Sequence, residues 1–127
     1  MDRNRHLFYV LLILLLSASC MAQHKFSESQ LAGKWLKPIG VVPPSGKAIK
    51  EGMLLNTSGT VEFINMNSIK GDKWELKNDT LVIWSHTDRL PEPQPNKFVI
   101  IRLTGSRLEI RPENGASKRN QLYRKYK

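Results

Sequence analysis

After its N-terminal segment this chain has no stretch in which apolar residues recur at helical spacing for more than about one turn. It is built instead of short runs of β-forming residues, each closed by Gly, Pro, Asn, Asp or Ser. Eight such runs are read as strands: Lys34–Lys37, Ala48–Leu55, Thr60–Met66, Lys73–Lys77, Thr80–Thr87, Lys97–Leu103, Arg107–Arg111 and Gln121–Tyr126. The turns Asn56-Thr57-Ser58-Gly59, Asn78-Asp79 and Thr104-Gly105-Ser106 are too short for a parallel crossover, so neighbouring strands pair antiparallel. A meander with no helical layer closes on itself or splits into a sandwich. Closure removes the free edges, so the expected fold is all-β, a small antiparallel up-and-down barrel of about eight strands. The one helical signal is Ser27-Glu28-Ser29-Gln30-Leu31, where Ser27 and Gln30 stand at capping-box spacing for a single turn.

Side-chain alternation assigns faces. Trp74 and Leu76 alternate with Lys73, Glu75 and Lys77, and Leu108 and Ile110 with Arg107, Glu109 and Arg111, so each of these strands has one wet face. Leu81–Trp84 and Phe98–Ile101 are apolar on both faces. Val82, Trp84, Val99 and Ile101 share one side and Leu81, Ile83, Phe98 and Ile100 the other, and only one set can enter a barrel. The other set is expected under one of the two loops that interrupt the tight spacing, Pro38–Gly46 and the proline-rich Asp88–Asn96, or against another subunit. A homo-oligomer is the expectation.

The N-terminus fixes the compartment. Met1–His6 is a short basic start, Leu7–Leu16 is an uninterrupted apolar run, and Ser17-Ala18-Ser19-Cys20 supplies small residues. The run is shorter than the roughly 20 residues a bilayer requires, and Gln23-His24-Lys25 follow, so residues 1–22 read as a secretory signal peptide and 23–127 as one domain. Two processing readings stand. Leu16–Cys20 resembles a lipobox, with Ser17 where an aliphatic residue is usual, which makes Cys20 a lipidation candidate; Cys20-Met21-Ala22 suits ordinary cleavage before Gln23. The expected destination is the periplasm, an outer-membrane-anchored lipoprotein, or secretion. The formal charge of +9 falls to about +8 once Asp2, Arg3 and Arg5 are removed. Outside the cytoplasm that charge points to solubility and anionic surfaces rather than nucleic acid. Membrane contact is expected only through lipidation or the basic surface.

Chemistry-bearing residues are sparse. One cysteine excludes a disulfide framework and thiolate metal sites. Only His24 and His86 remain after the leader, too few for a catalytic zinc, and no metal or cofactor is expected. Ser85-His86-Thr87-Asp88 holds triad residue types, but consecutive strand residues face opposite ways, so Ser85 and His86 do not form a nucleophile–base pair. Glu51, Glu62, Glu75 and Glu109 lie on strands with polar or basic neighbours, and spacing pairs none of them for acid–base work. No catalytic residue is assigned. Trp74 and Trp84 are candidates to stack on a ligand if they reach the lumen or rim.

Gly33-Lys34-Trp35, after a helical turn and before seven more strands, resembles the Gly-x-Trp opening of lipocalins. The stretch from Gly52-Met53-Leu54-Leu55 through Ile64-Asn65-Met66, Lys73-Trp74 and Asn78–Ile83 is similar to small lipocalin-like domains of exported bacterial proteins, over Leu31 to about Tyr126. The resemblance implies that Gly33 and Trp35 close one barrel end and that an arginine near the last strand packs across the Trp35 ring, with Arg124 first by position and Arg119 second. It also implies a non-enzymatic domain binding a small apolar or amphipathic ligand in or at the barrel mouth, with Met53 joining Trp74 and Trp84 as ligand candidates. The chain is shorter than larger lipocalins and shows no long helix after the last strand. Short strands favour a filled barrel, so a structural, self-assembling envelope domain is the alternative.

Overall fold

The computed structural model describes residues 26–114 and 119–127. The leader with Cys20, the cleavage point after Ala22, His24 and Lys118 lie outside the described residues. A one-turn helix α1 (Glu28–Leu31) precedes β1 (Gly33–Val42), β2 (Lys47–Leu55), β3 (Val61–Ile64), β4 (Lys70–Lys77), β5 (Thr80–His86), β6 (Gln94–Leu103), β7 (Arg107–Pro112) and β8 (Gln121–Tyr126). The strands form one antiparallel sheet in the order β3-β2-β1-β8-β7-β6-β5-β4. Pairing of β8 with β1 over Lys34–Leu36 turns the meander into a barrel. The seam between β3 and β4 is held by a bridge between Thr60 and Lys73 and by the Trp74 amide donating to the Gly59 carbonyl at 2.9 Å.

The α1 turn is capped as its spacing requires. The Gln30 amide donates to the Ser27 hydroxyl, and the Gln30 side-chain oxygen accepts from the Ser27 amide at 2.9 Å. Strand directions then fix two ends. α1 and the β2–β3, β4–β5 and β6–β7 turns lie at one; the β1–β2 hairpin tip and the β3–β4, β5–β6 and β7–β8 connections lie at the other. The α1 end is filled by Leu31, Trp35, Leu55, Val61, Leu81 and Leu108, none more than 2% exposed, with Trp74 at 6% beside them.

Several strand limits differ from the sequence reading. β1 runs on to Val42 through a bulge between Pro38 and Gly40, so most of the Pro38–Gly46 loop is a hairpin arm; a bulge is where a strand tolerates proline. β3 stops at Ile64 because Asn65 turns to φ 58°, in the left-handed region. β4 begins earlier than expected, at Lys70. β6 takes in Gln94, Pro95 and Asn96, which β5 covers but β7 reaches only from Phe98, so Pro95 sits where the strand has a single neighbour.

Leu81, Ile83, Phe98 and Ile100 face inward. Of the outward set, Val82 is 2% exposed, because Glu75 and Lys97 flank it in register. Trp84 lies between Lys73, whose Nζ is 4.6 Å from the ring centroid, and Pro95. The chain itself thus covers Val82 and half-buries Trp84, and part of that cover comes from the proline-rich segment.

Candidate functional site: the open half of the barrel

Above the filled half the lumen opens into a cavity of about 340 Å³. Its walls come from every strand except β4. Met53, Phe63, Ile83, Phe98 and Ile110 are strand residues pointing inward, and Met66 and Ile69 reach in from the β3–β4 connection, where the seam is unpaired.

Polar groups stand at two places in this apolar wall. On β1, β2 and β8, Lys37 Nζ lies 3.6 Å from Glu51 Oε1, each side chain about one quarter exposed. The same Nζ is 5.3 Å from the centroid of the Tyr123 ring, and the Tyr123 hydroxyl donates to Gln121 Oε1 at 2.9 Å. Burial, and after it the negative charge of Glu51, pushes the Tyr123 phenol up to about 12, so it stays protonated at neutral pH. On β5 and β6, Asn96 Nδ2 donates to Ser85 Oγ at 3.1 Å, and Ser85 is buried. Few polar groups placed in an apolar concavity can orient a small molecule and discriminate its head group.

A family model described as lipocalin-like matches residues 27–125. The chain belongs to the lipocalin-like family. A solved lipocalin-like protein from Bacteroides thetaiotaomicron VPI-5482 shares the fold, with a TM-score of 0.61 and 17% identity over 76% of this chain and 97% of that one. No curated protein matches the sequence.

In this lipocalin-like barrel Trp35 is fully buried, and its Nε1 donates to the Leu31 carbonyl at 2.7 Å, which ties the first strand to α1. Gly33 adopts φ +138°, where other residues are strained, and a Cβ there would lie 2.8 Å from Lys125 Cε. The cation across the Trp35 ring is Lys125, at 5.4 Å, and not Arg124. Trp35 pairs with Lys125 in register, whereas Arg124 stands opposite Leu36 on the outward face; Arg119 precedes β8 and is exposed.

Of the three ligand candidates, the structure places only Met53 in the cavity wall. Trp74 faces the lumen in the filled half, its Nε1 donating to the Asn56 carbonyl at 2.8 Å, so it is a core residue. Trp84 is on the outside of β5, one residue out of phase with the inward Ile83 and Ser85. Lys37, Glu51, Ser85, Asn96, Gln121 and Tyr123 were not among the candidates. Period two offered a signal for Glu51, which lies two residues before Met53 and so on the same face. His86 ends β5 at the open end with Nδ1 2.9 Å from Asp72 Oδ2, while Ser85 points into the lumen.

Proposed function

We propose that this chain is an exported, non-enzymatic binding protein that holds one small apolar or amphipathic molecule in the open half of its barrel. The observation that carries the reading is the division of the lumen: one end packed with side chains, the other a 340 Å³ cavity with apolar walls and a few polar groups. That volume is at the lower end of the roughly 300–1,000 Å³ typical of ligand sites, which suits a molecule much smaller than the ligands of wide barrels. Export rests on the N-terminal reading, and attachment to a membrane would come from a lipidated Cys20 or from the basic surface. Intact mass of the exported protein separates the two processing routes: acyl and diacylglyceryl mass on Cys20, or an unmodified terminus at Gln23.

Native mass spectrometry of untreated protein tests the binding reading by detecting a copurified small molecule. Met53→Trp, which fills the cavity, is expected to abolish its retention while the barrel stays folded. Retention unchanged by that substitution overturns the assignment to this cavity.

A second reading, self-assembly, draws on a different observation. Ile39, Val41 and Val42 on the β1–β2 hairpin and Leu90 in the β5–β6 connection are 43–62% exposed, and all four are at the open end. Sedimentation at high concentration tests it, and a wild-type monomer rules it out.

A further inference from the structure

Building on the binding reading, we propose that the ligand of the cavity carries an uncharged hydroxyl head, seated among Lys37, Glu51, Gln121 and Tyr123, and that carboxylate and ammonium amphiphiles are disfavoured. The four residues sit on three adjacent strands, so their polar ends meet on one wall. The Tyr123 proton is engaged by Gln121 Oε1 at 2.9 Å, which leaves the phenol oxygen to accept. Glu51 accepts through its carboxylate; Lys37 and the Gln121 amide nitrogen donate.

The formal charges of Lys37 and Glu51, 3.6 Å apart, cancel. The wall therefore offers donors and acceptors side by side with no net charge, and a hydroxyl, which is both donor and acceptor, matches it. A carboxylate accepts only and brings a second negative charge beside Glu51. An ammonium donates only and brings a second positive charge beside Lys37. Either leaves an uncompensated charge in a partly desolvated site, which costs more than seating a neutral head. At the ~30 Å³ a water molecule occupies in the liquid, the cavity has room for on the order of ten non-hydrogen atoms, a tail of decyl size.

The test is a titration of the purified protein with 1-decanol, decanoate and decylammonium, followed by the methyl resonances of Met53 and Met66, both in the cavity wall. Decanol is expected to bind at least about tenfold tighter than either ion. Glu51→Gln, which leaves Lys37 uncompensated, is expected to raise decanoate affinity about tenfold, and Lys37→Met to do the same for decylammonium, with decanol weakened in both. Equal or tighter binding of either ion to the wild type overturns the proposal, as does a preference that neither substitution changes. Those outcomes leave the binding reading standing. Failure of all three probes to bind overturns the binding reading and this proposal together.

Discussion

Trp35 and its neighbours show how much one side chain carries. Trp35 is fully buried with its indole N–H bonded, so Trp35→Ala is expected to cost about 3–5 kcal/mol, most of what a small domain has. Lys125→Ala removes the exposed cation over that ring and is expected to cost about 0.5–1 kcal/mol. Arg124→Ala, on the outer face, is expected to stay within about 0.5 kcal/mol of wild type. Urea midpoints of the three variants check the order, and a larger loss at Arg124 than at Lys125 contradicts the register of β8 on β1. Tyr123 makes a prediction in pH. Its folded value of about 12 stands above the ordinary 10.0, so the folded state favours the protonated phenol. The stability this provides is complete below pH 10 and is lost as pH rises toward 12, by about 2–3 kcal/mol. Subtracting the pH profile of Tyr123→Phe from that of wild type isolates the loss from the other groups that titrate there; a flat difference shows that the phenol is not held as described.

At the level of elements, the β1–β2 pair is two structures in one. Near α1, β1 has β2 on one side and β8 on the other, and a Cβ on Gly52 would stand 1.9 Å from the Trp35 carbonyl oxygen and 2.9 Å from Leu36 Cα. Those are backbone atoms that cannot rotate away, so Gly52→Ala is expected to cost the upper end of the about 1–3 kcal/mol usual for overpacking, or more. Beyond Leu36, β1 pairs with β2 alone, and an isolated two-stranded arm is marginal. Amides from Val41 to Ile49 are therefore expected to exchange with solvent well before those of Trp35 and Met53, as native-state hydrogen exchange would measure. Equal protection along the hairpin would mean that something else covers the arm.

For the molecule as a whole, the filled half supplies stability and the open half a site. A ligand that binds only the folded barrel stabilises it by about 2.7 kcal/mol at a hundred times its Kd, so a cavity ligand is expected to raise Tm with concentration. The same division predicts opposite outcomes for neighbouring substitutions on β6. Ile100→Lys puts a charge into the core and is expected to unfold the domain, whereas Ile101→Lys, already 41% exposed, leaves it folded. If subunits associate through the outer face of β6, Ile101→Lys also yields a monomer where the wild type is larger, which sedimentation reads directly.

Local patterns were enough to read eight antiparallel strands, the capped turn at Ser27 and the two opposed side-chain sets of β5 and β6, though not which of the sets enters the barrel. Each depends on residues close in sequence: a period of two, a capping spacing of three, turn residues that stop a strand. The cavity and its polar wall depend on register across strands far apart in the chain. Bulges at Pro38/Gly40, Gly71/Lys73 and Ile100/Arg102 each slip a strand by one residue, and one residue exchanges the inner and outer faces. Lys125 rather than Arg124 crosses Trp35 because β8 pairs with β1 in the register that sets Lys125 opposite Trp35, and Trp84 lies outside because its neighbour Ile83 takes the inward face. Lys37 and Glu51 meet Tyr123 for a related reason: β8 returns to pair with β1, a contact that no local pattern encodes and that only closure of the barrel decides.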